Sequence, residues 1–541
     1  MSIGRGRLRG FLVPPGAEDL PGLAELDGVE LQEGEAPFLM AAIRSLLESA
    51  SLVEEISTPA PRTMVAHRDS GYRPSADDDP LNLFIRKVNV YGSEQGALAG
   101  KTIGLKDNIS VAGVPTTNGS RLFSNTPSLD AVVVERILSA GGRIVGKLNM
   151  DDYGAAGTGE TSAFGPCRNP VDINYSPGGS SGASAAAVRA GAVDLALGVD
   201  QGGSGRIPAA ACGVVGLKAT HGLVPSFGVT HIDHTIDFVT PIAKSVADAA
   251  GLLEVIAGFD DRDPQWVRGA VPSPSFKDAE HEGVSGLRIG VIEESVGDFC
   301  DKAVIRGIDA SVSALQGAGA SVETISIPIW SNAITVFQPY IACLFANMYR
   351  TEGEGYGHLG YIDTDRAHAF GLSRRTQSQQ ISPQAKAWII AARHIQEKYL
   401  NVPFWKLHNA RLFIRTTLSG ILENFDLLIT PTVPSTTPRL LDPPVDIDVL
   451  LTRTDAKLCF NTSPLNLTGH PALAVPSGID QDGLPTSVQI IGRHFDERTV
   501  LRAGFELERS FGIFGGSKLD PAITTAAVDR MRQPLIGRSG H

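Results

Sequence analysis

From Lys101 onward, short apolar runs alternate with stretches of helical periodicity. Thr102, Ile103, Gly104 and Leu105 read as a buried strand, residues 131–140 as a helix, and Arg143, Ile144 and Val145 as the next strand. Strand, helix and strand joined by short links predict a right-handed crossover and a mostly parallel sheet. Further buried strands are predicted at 193–199, 287–291, 322–327 and 427–430, each bracketed by helical or turn residues. Residues 335–424 form a long, mostly helical and more polar insertion that caps the sheet or covers a site. Short β-like runs resume at 472–492, a helix follows at 498–511, and 511–541 is a C-terminal tail. Residues 1–96 differ from this pattern. Their main feature is an amphipathic helix over 36–56, with Phe38, Leu39, Ala42, Ile43, Leu46 and Leu47 at helical spacing between Pro- and Asp-rich loops. The expected fold is α/β: a large mixed, mostly parallel sheet covered by helices over 97–510, with a small helical N-terminal segment over 1–96.

Composition adds limits to this picture. With 541 residues, 42% hydrophobic and 20% charged, the chain can bury a sizeable core. Its 47 Lys+Arg against 59 Asp+Glu leave a net charge of −12, which repels phosphate backbones and anionic membranes; the expectation is no nucleic acid and no membrane. Cys167, Cys212, Cys300, Cys343 and Cys459 are scattered, with no Cys-x-x-Cys pair, so neither a disulfide scaffold nor a metal site is expected, and no cofactor. The apolar stretch at 10–13 stops at Pro14, too short for a signal peptide, and no run approaches the ~18 apolar residues of a membrane span. A cytoplasmic protein with reduced thiols is expected.

The most unusual segment is 176–187, Ser-Pro-Gly-Gly-Ser-Ser-Gly-Ala-Ser-Ala-Ala-Ala, followed after a predicted strand by a second serine-bearing glycine loop at 200–208. Glycines let a backbone approach a ligand closely, and serines supply hydroxyls. Three chemistries compete. Phosphate binding is weakened because Gly141 to Leu148 has Leu148 where a magnesium-holding Ser or Thr belongs, and Pro208 breaks the dinucleotide pattern after Gly203 and Gly205. Gly178 to Gly182 satisfies the G-x-S-x-G elbow, with His221, His231, His234 or His470 as possible bases, but no strand is predicted directly before it. A serine hydrolase with a lysine base requires a buried, neutral lysine. Lys106, at the end of an apolar strand, is the candidate, although pairing with Asp107 would make it merely structural.

Taken together, 104–109, 176–184 and 200–208 resemble the lysine motif, glycine-serine loop and nucleophile loop of the amidase signature family, in order and at compatible spacings. Similar segments at 146–151, 164–170, 426–431, 469–473 and 489–492 extend the resemblance over about 97–510. It implies a Ser-Ser-Lys triad: Ser204 attacks an amide carbonyl to form an acyl-enzyme, Ser180, beside an unusual cis peptide, relays the proton, and neutral Lys106 is the base. The backbone N–H groups of Gln201, Gly202, Gly203 and Ser204 form the oxyanion hole, and Ser181, Asp200 and Arg206 support the loops. Three departures stand out. Gly205 replaces a branched apolar residue after the nucleophile, while Ala183 and Thr240 each replace a common glycine. The N-terminal segment and the stretch around Gly355, Tyr356 and Gly357 resemble bacterial amidases of nitrile metabolism, which implies a homodimer acting on small aliphatic or aryl amides. The alternatives are the catalytic component of a tRNA-dependent amidotransferase, whose motifs are nearly the same, and a non-catalytic binding protein on this fold. His231, Asp233, His234 and Asp237 either touch substrate or satisfy their own loop.

Overall fold

The computed structural model describes residues 12–55, 63–263, 265, 275–355, 360–441 and 456–533. It divides into two compact units, Met1–Arg62 and Thr63–His541. The first unit contains the helices Leu20–Asp27 and Ala36–Ser51. The second is built on one sheet of twelve strands among the described residues: β1 (His67–Tyr72), β2 (Phe84–Tyr91), β3 (Thr102–Lys106), β4 (Arg143–Leu148), β5 (Leu195–Asp200), β6 (Val215–Lys218), β7 (Phe238–Ala243), β8 (Arg288–Ile292), β9 (Ser321–Ile325), β10 (Leu427–Pro431), β11 (Ala472–Ile479) and β12 (Pro485–Gly492). Their order is β1-β2-β4-β3-β5-β7-β6-β11-β12-β10-β8-β9.

The sheet is mixed, and its parallel pairing is confined to two runs, β4-β3-β5 and β10-β8-β9. The pairs linking β5 to β10 through the centre, and both pairs of β2, are antiparallel. A helix, Val132–Ser139, connects the parallel strands β3 and β4, whereas the antiparallel β11 and β12 are joined by a tight turn at 480–484. The sheet also begins earlier than expected. Residues 67–91, assigned above to the helical N-terminal segment, supply β1 and β2. The expected helical insertion is present as Ile329–Arg350, Thr364–Thr376, Pro383–Tyr399 and Val402–Leu422. Ile329–Arg350 is long and apolar enough to cross a membrane, yet Trp330, Phe337, Tyr340 and Phe345 are buried within the fold, as in a core helix. Tyr356 and Gly357 lie outside the described residues.

Candidate active site

Parallel pairing of β3 and β5 sets the ends of two strands side by side, which delivers Lys106 and Asp200 to one edge of the sheet. Lys106 is fully buried, and its Nζ donates to Ser180 Oγ (2.7 Å) and to the Val199 carbonyl (3.1 Å). Burial lowers its pKa to about 7, against the opposing pull of Asp151, Asp200 and Asp237. The structural alternative fails because Asp107 is already engaged. It pairs with a second buried lysine, Lys147 of β4 (3.0 Å), and accepts from Thr117 N (2.8 Å) and Oγ1 (2.5 Å). That pairing also takes Lys147 out of any phosphate loop.

The peptide bond from Gly179 to Ser180 is cis. A Cβ on Gly179 would run into Asp151, whose carboxylate is held by Gly159 N and by Thr161 N and Oγ1, so only glycine fits here. Ser181 joins the two loops: its N–H donates to the Ser204 carbonyl (3.2 Å) and its Oγ both donates to the Val199 carbonyl and accepts from Val199 N (3.2 Å each). The wholly buried helix Gly182–Ala190, rich in Ala, follows and packs closely under β5.

The second glycine loop, which carries Ser204, runs from the end of β5 to the helix Arg206–Cys212 and is built around Asp200. Its carboxylate accepts from Gly203 N (2.8 Å), Gly205 N (3.2 Å), Arg206 Nε (2.9 Å) and Nη2 (3.0 Å), and Asn466 Nδ2 (2.8 Å). Burial alone would raise the Asp200 pKa, but the Arg206 charge and these donors prevail and hold it at about 2. Arg206 is itself saturated, because Nη1 donates to Thr462 O (3.0 Å) and Gln489 Oε1 (2.6 Å), and Nη2 also reaches Asn466 Oδ1 (2.7 Å). Thr462 Oγ1 donates to the Gly202 carbonyl (2.7 Å). Thr462 and Asn466 have no place in the sequence analysis, and Gln489 enters it only as the start of the similar segment 489–492, with no role; a buried Asn or Gln in an apolar stretch is the available signal.

Ser204 is 7% exposed. Among the described residues no hydrogen bond closes the gap between its Oγ and Ser180, and none connects it to a histidine: His221 Nε2 contacts the His234 carbonyl (2.8 Å) and His470 Nε2 contacts Ser419 Oγ (3.2 Å). Gly203 departs from the oxyanion-hole expectation because its N–H is spent on Asp200. The N–H groups of Gln201, Gly202 and Ser204 have no described protein acceptor. The carboxylates of the 231–237 loop are bonded within it, while His234 Nε2 contacts the Glu354 carbonyl (3.1 Å) outside it. Asp237 accepts from Ile232 N (2.7 Å) and Asp233 from Thr235 N (2.8 Å) and Oγ1 (2.5 Å), although Asp237 also meets Gln201 Nε2 (3.5 Å). Ser204 opens on a pocket of about 40 Å³ walled by Ile207, Phe337, Ile341 and Trp388, with no charged side chain among its described lining residues. No cluster of three His, Cys, Asp or Glu side chains suited to a metal ion occurs among the described residues.

A buried lysine hydrogen-bonded to one serine thus lies close to a second glycine loop that carries Ser204. The chain belongs to the Amidase family, whose pattern matches residues 85–501, and it is an enzyme of amide C–N bonds. It is 38% identical over 437 residues to the A subunit of the glutamyl-tRNA(Gln) amidotransferase of Halobacterium salinarum, covering 79% of this chain and 100% of that one. Its counterpart from Exiguobacterium sibiricum is 37% identical, with 82% and 91% covered. The solved structure of the Thermotoga maritima counterpart superposes with a TM-score of 0.66 at 33% identity, over 82% of this chain and 91% of that one. A 6-aminohexanoate cyclic dimer hydrolase complexed with substrate gives 0.68 at 26%, over 80% and 88%.

These relatives overturn the partner expectation. Proteins this similar are, by name, subunits of an enzyme of glutamyl-tRNA(Gln), so a self-contained homodimer that excludes nucleic acid does not follow from the sequence. Net charge is a whole-chain sum, and it is silent about any one face.

Proposed function

We propose that this chain cleaves a carboxylic amide through an acyl-enzyme on Ser204, and the hydrogen bond from Lys106 to Ser180 is the observation that carries the proposal. Neutral Lys106 draws a proton from Ser180, which takes one from Ser204 as its Oγ bonds to the amide carbon. The oxyanion is met by the N–H groups of Gln201, Gly202 and Ser204. The proton returns through Ser180 to the amide nitrogen, ammonia leaves, and water cleaves the ester to regenerate Ser204. Ser181, Asp200 and Arg206 position the loops. Cys167, Cys212, Cys300 and Cys343 are thiols, which supports a reducing, cytoplasmic setting.

For the acyl group, the likeness to the amidotransferase subunits supports glutamine as the amide, with ammonia passed on within a larger assembly. A second reading, a free amidase of small uncharged amides, is favoured by the uncharged pocket: an amino acid brings two charges that would call for buried counter-charges. Ammonia release from glutamine, asparagine, propionamide and benzamide decides between them. Turnover of glutamine alone supports the first reading and turnover of the simple amides alone the second. Hydrolysis of none of the four, with or without the relatives' partner subunits, would sink amide cleavage at this site.

The pH profile tests the base. Lys106 accepts a proton only when neutral, so turnover is expected to rise with pH through about 7. Asp237, itself raised to about 7 by burial, favours the ammonium form of Lys106, so Asp237→Asn should move the acid limb to lower pH. A wild-type profile that stays flat across about pH 6–8 excludes Lys106 as the base.

A further inference from the structure

A second cavity, of about 420 Å³, lies among the helices Ile329–Arg350, Pro383–Tyr399 and Val402–Leu422 and shares no lining residue with the pocket at Ser204. Its volume falls in the range of small-molecule sites. Two guanidinium groups converge in it on one neutral oxygen: Arg350 Nη1 and Arg393 Nη1 both donate to Gln396 Oε1, at 2.9 and 3.4 Å. Arg393 is paired with Glu397 (2.7 Å). Arg350 has no carboxylate within ion-pair distance among the described residues, and burial together with the Arg393 charge lowers its pKa. Asp233 lines the same space, but its Oδ1 is committed to Thr235. Phe404 and Trp405 form an aromatic wall, with ring centroids 4.9 Å apart, and Trp405 remains 56% exposed despite its size.

An under-neutralised guanidinium pair is met best by a planar carboxylate, which can accept two parallel N–H bonds. The aromatic wall suits a flat apolar body. We propose that this cavity is a binding site for a small aryl carboxylate, with its carboxylate on Arg350 and Arg393 and its ring against Phe404 and Trp405. The site lies outside the catalytic machinery and stands or falls independently of which amide is cleaved.

Calorimetric titration of the full chain with benzoate, and with benzyl alcohol as the uncharged counterpart, tests the site. Wild type should bind benzoate and take up benzyl alcohol at least about tenfold more weakly; Arg350→Gln and Arg393→Gln should each weaken benzoate by about tenfold or more. Arg393 is half exposed, so its variant should keep the wild-type unfolding midpoint and report on binding alone. Ammonia release should be unchanged in both variants. No uptake of benzoate by wild type, or uptake that both variants retain in full, would overturn the site; the second result would place benzoate elsewhere, as at Ser204.

Discussion

Ser204→Ala is expected to lower amide turnover by about a millionfold, the scale seen when an acyl-transfer nucleophile is removed. The geometry makes the loss specific to chemistry. Ser204 Oγ takes part in no described hydrogen bond, so its removal should leave the unfolding midpoint close to wild type, while the Lys106–Ser180 bond and the free N–H groups of the loop persist. Ser180→Ala and Lys106→Ala each cut the proton path from Ser204 and should also fall by orders of magnitude. Residues acting as one unit do not add, so Ser204→Ala with Lys106→Ala should be little worse than Ser204→Ala alone. Ammonia release at substrate saturation, together with mass spectrometric trapping of an ester on Ser204, provides the measurement. A variant retaining more than about a hundredth of wild-type turnover would show that another residue attacks the carbonyl.

The parts of the site that lie in contiguous motifs were legible, because backbone geometry leaves a mark on residue type. Gly179 faces Asp151, and Gly203, at φ +132°, faces Thr462 where a side chain would stand. Lys106 was legible as a charge ending an apolar strand, but the rejection of Asp107 as its partner needed Lys147 from the neighbouring strand. The supports from Thr462, Asn466 and Gln489 lie about 250 or more residues along the chain from Arg206, and nothing local tells a buried amide with a partner from one without. β1 was hidden by its polar composition, His-Arg-Asp-Ser-Gly-Tyr, since an edge strand needs no apolar run.

Gly205 and Thr240, two of the departures singled out from the sequence resemblance, lie against each other. A Cβ on Gly205 would run into the side chain of Thr240, so a small residue after Ser204 stands against a larger one facing it. A small residue against a large one keeps the contact filled, as a packed interior requires. The space beside Gly205 is filled by Thr240.

Arg206→Met is expected to destabilise the large unit by about 3–5 kcal/mol, the cost of leaving a buried carboxylate without its cation. The guanidinium uses all of its N–H groups on Asp200, Thr462, Gln489 and Asn466, and methionine replaces the bulk without a single donor. Activity should fall as well, because Asp200 is what fixes Gly203 and Gly205 on either side of Ser204. Arg206→Lys should recover only part of the loss, since one ammonium cannot span these acceptors. The pH dependence identifies the cause. With its pKa held at about 2, Asp200 contributes stability above the ordinary carboxylate value of 3.8, and wild type loses that contribution as pH falls towards about 2. In Arg206→Met the charge and hydrogen bonds of Arg206 are lost and only the Gly203, Gly205 and Asn466 donors and Lys218 still oppose burial, so the Asp200 pKa rises; the deficit in unfolding midpoint should be greatest at neutral pH and narrow on acidification. A deficit independent of pH would assign the loss to packing alone, and a midpoint equal to wild type would show that the pair does not hold the loop.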